Sequence, residues 1–483
     1  MLLLRIIEWI NGFVWGIPSL TLILGVGLYF SIRTGFVQIR FFPMAMKAFI
    51  GSIRKENSAD GESSFQALCT ALAATVGTGN IAGVAGAIAI GGAGSIFWMW
   101  ICAVLGMVTK FAEAALSVHY QGKDSAGNAI GGPMYMVEKG MGPKWRWLGV
   151  CYSLFGVTAA FGIGNATQIN AVVDSVSSVR TCFGFDESLV INLMIGGVLA
   201  ILTAVSMLGG AKRIGNIASA LVPVASAAYL AMGVVALIIH APQIPAALQS
   251  IIKGAFEPRA ATGGAVGSAL LALRVGASRG VFTNEAGMGT AAIAHSVSKV
   301  KHPVEQGLMG IVEVFLDTIV ICTVTALVIL TSGTNICYGM DEGAVLTTRA
   351  FACTYGQWVS IPIAAFLSCF AFATMLGWGL YGLRCAQYLF GDSAWKPFVV
   401  IQAVISVISI LLKTGTVWML SETVNGLMAI PNLICLTALS PVLFRLTASY
   451  QKRRAPDSAL HNVSLLRSRM SDQGKRVDRC PHN

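Results

Sequence analysis

The chain has 483 residues, 55% of them hydrophobic and only 11% charged, with a mean hydropathy of +0.71. Soluble domains carry about 25% charged residues, so this composition excludes an ordinary soluble enzyme and indicates a polytopic membrane protein. The net charge of +11 does not point to nucleic acid, because the basic residues sit mainly in loops and the C-terminal tail, where they report topology.

Windows of about 19 residues give eleven predicted spans, near 14–32, 64–90, 92–118, 148–172, 188–208, 214–239, 265–294, 306–331, 358–382, 397–413 and 421–446. The N-terminus, Met1 to Trp9, lacks a basic start followed by a small-residue cleavage site and reads as uncleaved. With the N-terminus outside, the inner loops hold fifteen Lys and Arg against six outside, and residues 445–483 add nine more inside. The positive-inside rule then places the C-terminus in the cytoplasm of an inner (cell) membrane protein.

The second span contains Ala74-Thr-Val-Gly-Thr-Gly-Asn-Ile-Ala-Gly-Val-Ala85. Gly77 and Gly79 flank Thr78, and Asn80 follows, so helix propensity collapses at mid-depth. Irregular backbone at that depth is tolerated only where protein buries it or where it lines a cavity. Two other readings compete. Glycines 79, 83 and 86 would also let helices pack closely. A dinucleotide loop needs a preceding strand and a carboxylate about 20 residues on; position 100 is Trp and the surroundings are apolar, so that reading fails.

Five spans later, the seventh contains a second interruption, Arg274-Val-Gly-Ala-Ser-Arg-Gly-Val-Phe-Thr-Asn-Glu-Ala-Gly287. Breaks at corresponding positions of two halves are the best sequence pointer to a transporter site. Eleven spans divide as one plus five plus five, and an odd number per repeat inverts the second half, which lets the breaks meet. The predicted organisation is an all-α transport domain over 1–447, with an extra N-terminal helix (14–32), a first repeat (64–239) and a second (265–446). The basic tail, 448–483, is expected to be disordered.

Eleven cysteines occur with no CxxC pair and no histidine cluster beside them, so no metal site is visible; Cys337 and Cys353 share one predicted outer loop, which leaves a bridge open. The spans lack HExxH, and His119, His240, His295 and His302 fall at predicted span ends or loops, so an intramembrane enzyme has no catalytic set. No cofactor is expected.

Several segments together resemble the alanine/glycine:cation symporter family: Thr70 to Gly83, Gly131-Gly-Pro-Met-Tyr135, Phe161-Gly-Ile-Gly-Asn165, Ser278 to Gly289, Glu305 to Gly310, Gly377-Trp378 and Asn425 to Asn432. The resemblance covers nearly the whole membrane portion. It implies the leucine-transporter type of fold, in the amino-acid–polyamine–organocation superfamily, and sodium- or proton-driven uptake of alanine or glycine. Two places depart from the family pattern, Gly91-Gly-Ala-Gly94 and Ser421-Glu422, and they bear on loop geometry.

A small zwitterion needs an anion site, a cation site and an apolar wall. Half-helix N-termini favour a carboxylate, which assigns it to the backbone of Thr78, Gly79 and Asn80, with the Thr78 hydroxyl helping. Gln168 lies seven residues, about two turns, from Phe161, so both are expected on one face, with Gln168 toward the substrate ammonium; packing against a neighbouring helix is the other reading of a membrane Gln. Phe282, after Gly280 in the second break, and Trp378 are candidates for the wall, packing being the alternative. For the cation, Na+ or a proton, the carbonyls of Thr75, Val76 and Gly77 and the Thr374 hydroxyl supply hard oxygens. Thr374 and Trp378 share one face of the ninth span, which in the implied fold faces the first break. Asp317, inside the eighth span, either binds a cation or pairs with Arg274 or Arg279. A passive pore for small zwitterions or ions is the competing function.

Overall fold

The structure is a computed structural model that describes residues 2–54, 63–125, 127–186, 188–257, 269–340, 342–412 and 414–453. Apolar runs of this length bond their backbones internally, as hydrocarbon demands, and nearly every described element is a helix. The exception is a short antiparallel pair, β1 (Gly122–Lys123) and β2 (Ala129–Ile130).

The chain starts with α1 (Leu2–Val14), α2 (Ile17–Arg33) and α3 (Phe42–Arg54). Next comes α4 (Ser64–Thr75), opened by a reciprocal capping box in which Gln66 N–H donates to Ser63 Oγ and Ser63 N–H to Gln66 Oε1. After a break, a π turn (Gly79–Gly83) leads into α5 (Val84–Gly91), and α4 is bent from Gly79–Gly91 by 52°. The long α6 (Gly94–His119) returns, followed by α7 (Arg146–Phe161), a π turn (Gly162–Ala166) and α8 (Thr167–Cys182). Then come α9 (Leu189–Leu208), α10 (Gly210–Ile239) and α11 (Ile244–Phe256).

The second broken element is α12 (Ala269–Asn284) with α13 (Thr290–His295). Behind it stand α14 (Pro303–Val314), a π segment (Phe315–Cys322) and α15 (Thr323–Thr331), and then α16 (Ala344–Tyr355), α17 (Ser360–Phe390), α18 (Trp395–Ser409) and α19 (Thr414–Ala438).

Among the described residues, eight helices are long and apolar enough to cross a membrane, or nine if the bent pair Ser64–Thr75 and Gly79–Gly91 is one span. The expected eleven exceed this at the seventh and tenth spans. There the chain breaks at Asn284, and α18 runs for only 15 residues. Helix continues through 440–453, past the expected domain limit at 447, while 454–483 lies outside the described residues. Cys337 and Cys353 are both free thiols.

The core gathers around the two breaks. α6 packs along α12 and α14, and α17 packs on α4, α7 and α10. The approach of α17 to the first break depends on Gly377, where an added Cβ would lie 2.9 Å from Ala74 Cβ. That closeness sets Thr374 and Trp378, on the same stretch of α17, against the break.

Candidate functional site

The first break begins where Val76 turns extended, at φ −75° and ψ 95°. Gly77 N–H donates to Asn80 Oδ1 at 2.9 Å, and the carbonyl of Ala73, four residues back, instead accepts from Thr374 Oγ1 at 3.0 Å. Thr78 and Gly79 open the next half-helix, whose first N–H groups find no carbonyl within their own helix. Asn80 N–H closes back on Gly77 O at 3.3 Å.

At the second break, Glu285 has φ +53° and Gly287 and Gly289 have φ +95° and +82°, values natural for glycine and strained for glutamate. The N–H groups of Gly287 and Gly289 both donate to Glu113 Oε1 at 3.0 Å, and Asn432 Nδ2 donates to the same oxygen at 2.8 Å. A buried carboxylate of α6 therefore occupies the anion-binding end of this break.

A cavity of about 20 Å³ lies between the breaks, lined by Ala74, Thr75, Gly77, Thr78, Gly79, Ile163, Gln168, Phe282, Glu285, Thr374 and Trp378. Thr78 Oγ1 donates to Gln168 Oε1 at 3.4 Å, and Gln168 Nε2 donates to Ile163 O at 3.0 Å. Trp378 Nε1 donates to Glu285 Oε1 at 2.8 Å. Beside the cavity opens a second, about 930 Å³ in volume, whose lining includes Thr78, Arg279, Glu342, Arg349, Trp418 and Glu422. The Phe282 and Trp418 rings, with centroids 5.8 Å apart, stand between the two. Arg279 and Glu422 pair across the larger space at 3.0 Å, and Arg349 pairs with Glu342.

Of the expected site residues, Thr75, Gly77, Thr78, Gly79, Gln168, Phe282, Thr374 and Trp378 line the small cavity; Asn80, Phe161, Gly280, Val76 and Asp317 do not. Phe161 stacks on Phe398, with centroids 5.0 Å apart, because the π turn after it rotates the chain less per residue than an α-helix and parts it from the face of Gln168. Gly280 faces α6, where an added Cβ would lie 3.1 Å from Cys102 Cβ. Asn80 turns away from the cavity and spends its amide on the break and on Asp317.

Asp317 sits in a second polar cluster behind Asn80. Asn80 Nδ2 donates to Asp317 Oδ1 at 2.6 Å and to its main-chain carbonyl at 3.2 Å, and Thr318 Oγ1 donates to Asp317 Oδ2 at 2.8 Å. Asn284 Nδ2 reaches Thr318 Oγ1 at 3.3 Å. The arginine pairing weighed for Asp317 is not formed by Arg279, which is held by Glu422. The single cation set expected from sequence is thus divided between two places, one around Thr374 and Ala73, the other around Asp317.

A third cluster was missed. Lys110 and Glu313, each 1% exposed, pair at 2.7 Å, and Glu313 Oε2 lies 3.0 Å from His295 Nε2. Gln306 donates to His295 Nδ1 at 2.7 Å, which leaves Nε2–H to donate to Glu313. The rule that singled out Asp317, that a charge inside a span needs a reason, applied equally to Lys110, Glu113 and Glu313.

Two helix breaks facing one another across a buried polar cavity define a secondary transporter. The sodium:alanine symporter family matches residues 1–463, and the chain belongs to that family. It is a transporter and not an enzyme. The sodium/alanine symporter AgcS of Methanococcus maripaludis is 41% identical over 453 residues, covering 93% of this chain and 97% of that protein. An uncharacterized transporter of Haemophilus influenzae is 40% identical, covering 93% and 96%. The probable sodium/glutamine symporter GlnT of Bacillus subtilis is 36% identical, covering 94% and 92%. In fold, the chain is similar to MhsT, solved in complex with L-phenylalanine, at a TM-score of 0.56 and 14% identity, covering 81% of this chain and 99% of that one. The chain is therefore a multi-pass, cation-coupled amino-acid symporter of the leucine-transporter fold.

Proposed function

We propose that the chain takes up a small neutral amino acid, alanine with glycine as the smaller alternative, together with sodium, by alternating access across the cell (inner) membrane. The observation that carries this reading is the small cavity between the breaks. It combines free half-helix donors at Thr78 and Gly79, the Gln168 amide, an apolar wall of Ile163, Phe282 and Trp378, and oxygens around Thr374. At about 20 Å³ it is narrow, which argues for a carrier that opens around its substrate over a standing pore.

In this reading the substrate carboxylate meets the N–H groups of Thr78 and Gly79. Asn80 serves as a strut, because its own N–H is used by Gly77 O. Sodium takes oxygens at the C-terminal end of α4 and Thr374, where half-helix carbonyls suit a cation; Asp317 with Thr318 and the Asp317 carbonyl offers a second place. The two repeats, 64–239 and 265–446, move against one another, with the N-terminus outside and the C-terminus in the cytoplasm. The larger cavity, lined by Arg279 and Glu422, is then the outer entrance.

Proton coupling is the second reading, favoured by the buried carboxyl groups of Asp317 and Glu285. The deciding experiment is uptake of radiolabelled alanine and glycine into proteoliposomes with sodium and pH gradients imposed separately. Saturable alanine uptake that follows the sodium gradient supports the proposal. Uptake driven by the pH gradient alone replaces sodium with a proton, and conductance far above carrier turnover removes the carrier.

A further inference from the structure

Among the described residues, Glu285 is the one carboxyl side chain that lines the small cavity. It is 3% exposed, its backbone is held at φ +53°, and Oε1 accepts from Trp378 Nε1 at 2.8 Å. Its second oxygen, Oε2, is buried and makes no hydrogen bond of normal geometry among the described residues, although the Thr290 hydroxyl, itself without one, stands close to the carboxyl. A strained backbone and a half-satisfied buried carboxylate both cost stability, and such features persist where the surroundings impose them for function. Nearby cationic side chains are engaged elsewhere, Lys110 by Glu313 at 2.7 Å and Arg279 by Glu422 at 3.0 Å.

We infer that Glu285 is the counter-charge for the ammonium group of the transported amino acid, and thereby selects amines over otherwise identical acids. The inference rests on the symport reading and deepens it. The polarity of the two breaks fixes the substrate's direction. Glu113 already fills the N–H groups of Gly287 and Gly289, so the second break offers no anion site. The substrate carboxylate is left with Thr78 and Gly79 on the first break, and the ammonium then points across the cavity to the second. Glu285 presents the unpartnered acceptor there. Gln168, another acceptor on the wall, already receives Thr78 Oγ1 and carries no charge.

Charge bookkeeping agrees. A zwitterion and a sodium ion bring one net positive charge into a site buried among the helices, and one protein carboxylate on the cavity wall balances it. Trp378 gains a second role from the same geometry. Its ring closes the apolar wall while its N–H holds Oε1, leaving Oε2 to the ammonium.

The test compares L-alanine with L-lactate, which keeps the carboxylate and methyl group and replaces the ammonium with a hydroxyl. Both compete against radiolabelled alanine on the full-length chain in proteoliposomes at fixed sodium. In wild type alanine is strongly preferred, because a site built for a charged donor rejects the analogue lacking it. In Glu285→Gln the half-inhibitory concentration of alanine rises by about 10- to 100-fold, as expected for loss of a charge-assisted bond, while that of lactate stays within about 3-fold. Glu285→Asp, which keeps the charge on a shorter arm, recovers part of the preference.

A merely structural role would weaken both ligands together, and an unchanged alanine-to-lactate ratio in Glu285→Gln overturns the inference. If the Gln variant is not recovered in folded form, Glu285→Met, which removes the charge at similar length, is measured in its place, and an unchanged ratio there has the same force. A wild-type chain that distinguishes the two acids poorly also overturns it. Failure of the symport reading looks different, since the wild-type chain would then show no sodium-dependent alanine uptake at all.

Discussion

Replacing Thr374 with valine is the most direct probe of the proposed sodium place, because it keeps the side-chain shape and removes one oxygen. Thr374 is 2% exposed, and its hydroxyl donates to the Ala73 carbonyl at 3.0 Å. An added Cβ on Gly77 would lie 2.7 Å from the same oxygen, which shows how tightly it is set against the break. Thr374→Val therefore strands a buried carbonyl and deletes one ion ligand. Each such loss costs about 1–3 kcal/mol, and about 1.4 kcal/mol is a tenfold change in binding. The half-saturating sodium concentration for alanine uptake should rise by about 10- to 100-fold, with maximal uptake at saturating sodium reduced far less. The assay is initial-rate uptake into proteoliposomes across a sodium titration, normalised to reconstituted protein. A half-saturating concentration within about 2-fold of wild type would remove Thr374 from the ion site and leave it as a helix-to-helix tie.

Trp378→Ala should weaken alanine and raise the rank of larger side chains such as glutamine in competition uptake; an unchanged rank order counts against the wall. Truncating so buried an aromatic also costs about 3–5 kcal/mol of stability, so Trp378→Phe, which keeps most of the ring, is measured beside it. Lys110→Met leaves Glu313 buried without its ion partner and should lower thermal stability by about 3–5 kcal/mol. Lys110→Met combined with Glu313→Met should recover much of that, and a double variant as unstable as the single would show that the pair is not the reason. Arg279→Glu places like charges together at the larger cavity. Because the pair is part-exposed its worth is about 1 kcal/mol or less, so uptake should fall only a few-fold and return with Arg279→Glu and Glu422→Arg together. Persistent loss in the double swap would assign Arg279 a role beyond its pairing.

The breaks were legible because glycine and polar residues inside an apolar run have few explanations in a membrane, and Gly77-Thr78-Gly79-Asn80 and Asn284 to Gly289 both stand where chain regularity fails. Thr374 and Trp378 were legible through their four-residue spacing on one helix. The π turns were not. The Gly162–Ala166 turn separates Phe161 from Gln168, and its widening leaves no periodic trace in a run of small apolar residues. Asn80 was expected to offer its backbone N–H, but that group closes on Gly77 O, a local bond that the sequence pattern does not show. The anion plug at the second break joins Glu113 to residues 174 and 176 positions away, a pairing that no local pattern encodes.

That plug also bears on how substrate and ion would act together. If both breaks presented free N–H groups, a zwitterion could lie either way across the cavity. With Glu113 seated on Gly287 and Gly289, only the first break remains open to a carboxylate, and the carbonyl that meets Thr374 belongs to that same break. In the proposed reading, sodium at Ala73 and Thr374 and the carboxylate at Thr78 and Gly79 thus sit on opposite electrical ends of one interruption a few residues long. Each fixes the backbone the other needs, so occupation of either lowers the ordering cost for its partner. Coupling of this kind requires no long pathway through the protein. It predicts reciprocity: alanine should tighten sodium by the same factor as sodium tightens alanine, and equilibrium binding of each, measured with and without the other on the purified chain, checks it. A common factor near one would mean that the two ligands do not share the first break.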